Sequence, residues 1–323
     1  MEKILEANTY RSFILKLFVF IVIVAVVDIS VGKLLEKAYF NQQQGEDALT
    51  TYAVKEVQSQ MLVFGSSRAV NNFDPAVMEN ETGLSCFNAG RIGQSVLYHY
   101  AVLKTILKRY SPEVVVLSMD AGEFAKDAED YDKLSSLLPY YNSHPEVRDM
   151  VHLKGPIEKI KLLSSIYPYN SLLLPIIKGN SINEQEKNAK GNGYISLQRT
   201  FPGPVETIDY TANRRQLDSV KINTYLSFIK ECRQRGIKLY VVCPPYIVNP
   251  VGKNLSLQIA EKIAGDMGVP YFDLAYDEKF TSRKHLFADF RHLNLQGSKE
   301  FSKFISARIS SDEVPDNTGI HNE

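Results

Sequence analysis

The chain has 323 residues, enough to bury a large hydrophobic core in one large domain or in one domain with an insertion. Lys and Arg number 37 and Asp and Glu also number 37, so a net charge of zero offers no electrostatic attraction for nucleic acid. The three cysteines, Cys86, Cys232 and Cys243, have neither CxxC nor metal-ligand spacing, which favours buried core positions.

An apolar stretch near the N-terminus, residues 13–31, contains only two charged residues, Lys16 and Asp28. Its 19 residues approach the roughly 20 that a helix needs to span a bilayer. A cleaved signal peptide is the alternative, but the small-residue sequence Ser30-Val-Gly32 is a poor cleavage site. We therefore predict a transmembrane anchor over residues 1–33, with the globular domain outside the cytoplasm, in the periplasm or on the outer face of the cytoplasmic membrane.

Residues 34–60 are polar and compatible with helix, which predicts a stalk that leads to a domain over residues 61–310. That domain alternates strand-like apolar runs with amphipathic helical patterns. The predicted strands are 62–64, 83–87, 113–120, 237–243 and 268–274. This order predicts an α/β fold, a three-layer α/β/α sandwich with a flavodoxin-like parallel sheet of about five strands.

The alternation stops over about residues 125–213, a segment rich in proline and tyrosine. We interpret it as a helical and loop insertion that either forms a wall or lid for substrate or packs on the core. Its tyrosines at 140, 141, 167 and 169 could stack on sugar rings or pack loops. Residues 183–192 have the composition of a mobile loop, and residues 311–323 that of a disordered tail.

Two short sequences carry the residue types of nucleophilic catalysis. The first predicted strand ends in Gly65-Ser-Ser67, at the edge where parallel sheets place their ligands. The motif Asp289-Phe-Arg-His292 offers a base for a serine hydroxyl and a carboxylate to orient that base. A helix-capping Ser67 and a surface His292 are the plain alternatives. A metal site from His285, Asp289 and His292 is a further alternative that explains fewer residues.

In these blocks the chain resembles the SGNH (GDSL-type) hydrolase superfamily, from about residue 60 to 310 without the insertion. The resemblance implies that Ser67 is the nucleophile and that Asp289 and His292 complete a catalytic triad. It implies that the backbone N–H groups of Ser67 and Gly93, the latter in Asn88-Ala-Gly-Arg-Ile-Gly93, form the oxyanion hole. No metal or cofactor is implied.

Two positions depart from the family pattern. Asp120 stands where the family has an oxyanion-binding asparagine, and Ser66 replaces an aspartate. An ionised carboxylate has no proton to donate and repels an oxyanion. Three explanations stay open: Asp120 is protonated, it holds Arg68 or Arg91 in place, or another donor such as Asn88 fills the role.

The departures and the anchor resemble a membrane-anchored branch of this superfamily, which includes proteins of alginate acetylation and of D-alanyl transfer to teichoic acid. That resemblance implies an esterase or O-acyltransferase, most simply for O-acetyl groups, that acts on a cell-envelope or extracellular polysaccharide. It also implies a membrane-bound O-acyltransferase as a partner that delivers the acyl group. The alternative is a catalytically degenerate domain that serves as a scaffold in an acylation or export complex.

Overall fold

The structure, a computed structural model, describes residues 2–181, 192–211 and 216–311. Most of the loop predicted at 183–192, and all but the first residue of the tail predicted at 311–323, lie outside the described residues.

A parallel sheet forms the centre of the domain. The strands in chain order are β1 (Met61–Phe64), β2 (Cys86–Asn88), β3 (Val114–Ser118), β4 (Glu206–Asp209), β5 (Lys238–Cys243), β6 (Val248–Val251) and β7 (Tyr271–Asp273). Five of them form one sheet in the order β2-β1-β3-β5-β7, with every neighbouring pair parallel. This confirms the predicted α/β class and the five-stranded sheet. The exposed pair β4 and β6 forms a separate parallel ribbon that the sequence did not predict.

Helices cover both faces of the sheet. In chain order they are α1 (Glu2–Phe40), α2 (Glu46–Lys55), α3 (Ser67–Asn72), α4 (Pro75–Thr82), α5 (Val96–Ile106), α6 (Ala128–Asp132), α7 (Arg148–His152), α8 (Glu158–Lys161), α9 (Leu173–Asn180), α10 (Ser219–Gln234), α11 (Leu255–Asp266), α12 (Glu278–Thr281) and α13 (Leu295–Ser310). Short 3₁₀ turns occupy Lys133–Tyr140, Pro145–Val147, Tyr167–Tyr169 and Lys284–Leu286.

The hydrophobic core is split in two by the sheet, because successive strand residues point to opposite faces. On one face, Leu62 and Val115 pack in a cluster with residues of α2, α5, α10 and α11. On the other face, Val63 and Val116 pack in a second cluster with residues of α4 and α13. The result is the predicted three-layer sandwich.

The segment predicted as a stalk, residues 34–60, packs onto the domain instead. Tyr39, near the end of α1, is fully buried, and the apolar side of α2 lies in the core. Polar residues of α2 are buried with distant partners: Thr50 Oγ1 lies 2.9 Å from the Tyr98 hydroxyl, and Thr51 Oγ1 lies 2.8 Å from the Tyr140 hydroxyl. Satisfied hydrogen bonds remove most of the cost of burying these groups.

The insertion packs on the core through its tyrosines. Tyr140 and Tyr169 are buried, the Tyr141 hydroxyl lies 2.8 Å from His152 Nε2, and the Tyr167 hydroxyl donates to Glu158. Tyr140 and Tyr169 therefore pack the insertion onto α1 and α2, Tyr141 and Tyr167 bond within the insertion, and the alternative in which the four tyrosines stack on sugar rings is not supported. Other parts of the insertion do line the cavity described below.

Helix α1 is, among the described residues, the one helix long and apolar enough to cross a membrane, over Tyr10–Phe40. Its side chains from Tyr10 to Val27 are exposed. Beyond Asp28 one side of the helix, with Gly32 and Tyr39, turns toward the domain.

Candidate active site

Ser67 lies just beyond the carboxyl end of strand β1, where a sharp turn leads into α3. Gly65 makes the turn possible, since its φ of +143° suits glycine and a Cβ there would lie 2.7 Å from Ser118 Cβ. Ser66 caps α3 by accepting a hydrogen bond from the Arg68 N–H, and Ser67 is the first helical residue. The capping role considered for Ser67 therefore belongs to Ser66.

The loop before α13 presents His292 to Ser67. His292 Nε2 lies 2.8 Å from Ser67 Oγ, and His292 Nδ1 lies 2.9 Å from Asp289 Oδ1. The backbone N–H groups of Arg291 and His292 also donate to Asp289 Oδ1, which folds the three-residue spacing into a tight turn. The structure thus brings together the three residues predicted as a triad, from positions 225 residues apart in the chain.

The surroundings of Asp289 keep its carboxylate ionised. Burial raises the pKa of Asp289, but hydrogen bonds from His292, the Arg291 N–H and Arg199 outweigh it and hold that pKa well below its usual range. Arg199 Nη2 lies 2.7 Å from Asp289 Oδ2, and Arg199 Nε donates to the Ala288 carbonyl. An anionic Asp289 fixes the Nδ1–H tautomer of His292 and leaves Nε2 to accept a proton.

The backbone N–H groups of Ser67 and Gly93 have no acceptor among the described residues. Both residues line one cavity of about 850 Å³. Gly93 has a φ of +72°, a conformation that glycine adopts without strain. The arrangement can accommodate the two-donor oxyanion hole that the sequence predicts.

Asn88 cannot serve as the additional oxyanion donor. Its Nδ2 donates to the carbonyls of Ala69 and Phe73, and its Oδ1 accepts from the Gly90 N–H. Both amide hydrogens are therefore engaged with the backbone. Asn88 shapes the loop that leads to Gly93.

Asp120 lies beside the turn between β1 and α3 that carries Ser66 and Ser67, and four groups contact its carboxylate. Its carboxylate accepts hydrogen bonds from the hydroxyls of Ser66 and Tyr246. The two cations near it are Arg68, with Nε 3.6 Å from Oδ1, and Arg291, with Nη2 3.5 Å from Oδ1. Of the explanations for an aspartate here, the structure matches the one in which it holds Arg68.

Arg68 connects the turn between β1 and α3 to the end of β5. Its side chain is fully buried, its guanidinium lies 3.3 Å from the ring centroid of Tyr246, and it donates to the carbonyls of Pro244 and Pro245. Burial lowers the pKa of Arg68, opposed by the nearby anion Asp120. Ser66, Arg68, Asp120 and Tyr246 therefore form one buried polar network beside Ser67.

Arg91 has a different partner from the one considered for it. Its Nη2 lies 2.7 Å from Asp47 Oδ1, and its Nη1 donates to Thr50 Oγ1. The next residue, Ile92, donates its N–H to the Glu46 carboxylate. The loop that carries Gly93 is therefore fastened to the start of α2.

Several residues of the cavity were not predicted from the sequence. Polar lining residues besides Ser66, Ser67 and Asp120 include Gln94, Ser95, Glu123, Asp130, Lys133, Tyr246, Asn254, Gln258 and Arg291. Burial raises the pKa of Glu123 to about 7, although its carboxylate accepts a hydrogen bond from the Val96 N–H. The one sequence signal for Glu123 is its place after β3, at the carboxyl edge of the sheet.

The metal alternative for His285, Asp289 and His292 finds no support in the geometry. Over the described ranges, no group of three or more His, Cys, Asp or Glu side chains could hold a metal ion. The ring nitrogens of His292 face Ser67 and Asp289. The three cysteines are buried and form no disulfide.

No protein-family model matches the chain, and no curated protein matches it either. Among solved structures, it is similar to a lipase/acylhydrolase from Enterococcus faecalis, with 12% identity and a TM-score of 0.36 over 78% of this chain and 95% of the other. It is also similar to the acetyl xylan esterase Est2A from Butyrivibrio proteoclasticus, with 10% identity and a TM-score of 0.37 over 79% of this chain and 65% of the other. At such TM-scores neither likeness bears on function, which has to be inferred from the arrangement of Ser67, His292 and Asp289.

Proposed function

We propose that the protein is an SGNH-type serine hydrolase or acyltransferase that acts on ester bonds. The observation that carries this proposal is the continuous chain of hydrogen bonds from Ser67 Oγ through His292 to Asp289, next to an open cavity. A structural serine or a surface histidine has no need of such a chain.

The geometry supports a two-step acyl transfer. His292 Nε2 takes the proton of Ser67 Oγ as Oγ attacks the acyl carbonyl, and the N–H groups of Ser67 and Gly93 stabilise the oxyanion. The imidazolium of His292, stabilised by Asp289, then protonates the departing alcohol, and an acyl group remains on Ser67. Water or a sugar hydroxyl next gives its proton to His292 Nε2 as its oxygen attacks the acyl-serine, and His292 returns that proton to Ser67 Oγ as the bond between the acyl carbon and Oγ breaks.

We infer that the natural substrate is an O-acyl group, O-acetyl in the simplest case, on a cell-envelope or extracellular polysaccharide. The support is the cavity, whose volume of about 850 Å³ lies within the range of ligand sites. Side chains that can both donate and accept hydrogen bonds, among them Gln94, Asn254 and Gln258, line it and suit the hydroxyls of a sugar.

The cellular setting forms part of the same proposal. Helix α1 anchors the protein in the cytoplasmic membrane, and the domain faces the periplasm or the outer surface. A membrane-bound O-acyltransferase in the same membrane is the expected partner if the reaction is transfer. The support is the long apolar helix together with its direct packing onto the domain through Gly32 and Tyr39.

The nucleophile is tested with neighbouring serines. Ser67→Ala should abolish hydrolysis of p-nitrophenyl acetate and labelling by a fluorophosphonate, whereas Ser66→Ala should still label because its hydroxyl faces Asp120. Labelling of Ser67→Ala at the wild-type rate would overturn the assignment. Equal polysaccharide acylation in cells that carry wild type or Ser67→Ala would instead favour the scaffold function.

A further inference from the structure

The insertion exposes a group of large apolar side chains beside α1. We call it the insertion patch, and it consists of Ile157, Ile160, Leu163, Leu173, Leu174 and Ile177. These side chains are exposed by 47% to 82%. In the rest of the described chain outside α1, no large apolar side chain is more than 47% exposed. Such a cluster on a protein surface marks a contact with a membrane or with another protein.

The insertion patch is joined directly to the apolar helix. Ser164 Oγ and the Ser165 N–H donate to the two carboxylate oxygens of Asp28, over 2.5 and 2.6 Å. Gly32 lies against Ser165, where a Cβ would come within 2.4 Å of Ser165 Cβ. Asn180, at the end of α9, donates to the Ala38 carbonyl. The apolar surface of the insertion therefore continues that of α1.

The height of these contacts along α1 matches the edge of a bilayer. The exposed apolar part, from Tyr10 to Val27, has 18 residues and a length of about 27 Å as a helix, close to the roughly 30 Å of a hydrocarbon core. Asp28 follows at once, and its partners Ser164 and Ser165 lie next to Leu163. Leu163 is thus placed where the helix leaves the hydrocarbon.

The charges around the patch are those of an interfacial segment. Lys159, Lys161 and Lys178 are exposed on the same short helices as the apolar residues. Lysine side chains beside apolar ones are typical of helices that lie in the headgroup region and attract anionic lipids. Short turns that alternate exposed leucine or isoleucine with lysine fit this environment better than the apolar interior of a protein interface.

We propose that the insertion patch is immersed in the lipid headgroup region, roughly 5–10 Å into the boundary with the acyl chains. The inference rests on the proposed anchoring by α1 and adds a second, independent contact with the bilayer. Two contacts fix the tilt of the domain, whereas a single helix end leaves it free to rock.

The sequence contains no tryptophan, so single tryptophans can report their surroundings without background. Three variants of the full chain are reconstituted in liposomes of phosphatidylcholine and phosphatidylglycerol, with or without brominated acyl chains. Leu163→Trp reports on the patch and Phe20→Trp on the centre of α1. Lys299→Trp, exposed on α13 at the opposite face of the sheet, is the matched control.

Brominated lipid should quench about half or more of the Leu163→Trp emission, quench Phe20→Trp strongly and leave Lys299→Trp unchanged. Quenching of Phe20→Trp alone would show that the anchor holds while the patch lies outside the lipid, which overturns the inference. A blue-shifted but unquenched Leu163→Trp would assign the patch to contact between copies of the chain. Absence of quenching in all three variants would reject both the anchor and the patch.

Discussion

Asp47 and Arg91 form a buried ion pair, with 2.7 Å between Asp47 Oδ1 and Arg91 Nη2. The pair joins α2, which follows the apolar helix, to the loop that presents the Gly93 N–H to the cavity. The position of one proposed oxyanion donor therefore depends on a segment outside the central sheet.

Asp47→Asn tests this dependence. The variant keeps the shape of the side chain but leaves Arg91 buried without its counter-ion, which should lower the free energy of unfolding by about 3 kcal/mol. Movement of the Gly93 loop should lower kcat more than it raises KM, because an oxyanion donor acts in the transition state. Steady-state kinetics on p-nitrophenyl acetate and urea denaturation measure both effects.

Glu46→Gln is the matched control, one residue away. Glu46 is only partly buried, and a glutamine oxygen can still accept the hydrogen bond from the Ile92 N–H. We expect little change in kcat or stability. Equal kinetics for Asp47→Asn and wild type would show that the Gly93 loop holds its position without the ion pair.

Asp120→Asn should destabilise the protein through Arg68. With the charge removed, the fully buried guanidinium of Arg68 loses its nearby anion. The free energy of unfolding should therefore fall by about 3 kcal/mol. Arg291→Gln removes the other arginine near the same carboxylate. Because that side chain is 42% exposed, the free energy of unfolding should fall by less than about 1 kcal/mol. Chemical denaturation of the two variants in parallel checks the contrast, and equal losses would contradict it.

Asp289→Asn should lower kcat by about 10⁴-fold, because an amide can no longer hold the Nδ1–H tautomer of His292. Arg199 contacts Asp289 Oδ2, whereas Oδ1 is the carboxylate oxygen nearer to His292 Nδ1, and the Arg199 side chain is 67% exposed. Arg199→Gln should therefore reduce kcat only a few-fold. The reduction should become smaller as the salt concentration rises. A loss for Arg199→Gln as large as that for Asp289→Asn would mean that Arg199 holds the substrate as well.

Glu123 should make stability fall as the pH rises. Its pKa is about 7 in the folded protein and about 4.3 in an unfolded chain, so between these values the native state retains a proton that the unfolded state has released. The contribution of Glu123 to the free energy of unfolding is greatest below about pH 4. It decreases between about pH 4 and pH 7 and is constant at higher pH. Glu123→Gln should remove this decrease, as measured by urea denaturation of both proteins at pH 5 and pH 8. Parallel pH dependence of the two proteins would refute the assignment.

The central sheet could be predicted because its strands are short, continuous apolar runs separated by helical patterns. β4 and β6 could not be predicted, since their residues are polar or exposed and they pair across about 40 residues of chain. The triad could be predicted because Gly65-Ser-Ser67 and Asp289-x-x-His292 are local motifs that the fold brings together.

The supporting residues of the site leave no local signal. Arg199 lies 90 residues before Asp289 in a segment without a motif, and its role depends entirely on the packing of the insertion. Residues 46–55 belong to the segment whose polar composition predicts a stalk, and they include the polar residues Asp47, Thr50 and Thr51. Their partners Arg91, Tyr98 and Tyr140 are distant in the chain, so only the folded structure shows that these groups are satisfied.

If α1 is anchored as proposed, the short connection between α1 and α2 limits how far Ser67 can move relative to the membrane. Residues 41–45 join the two helices, and both helices pack on the domain. A flexible tether would let the domain sweep a volume that grows with the length of the linker. With α1 anchored as proposed, the short connection would hold Ser67 at one height above the bilayer, so only ester groups that come to that height would be within reach. The distance of an ester group from the membrane surface would then restrict the substrates before the shape of the cavity does.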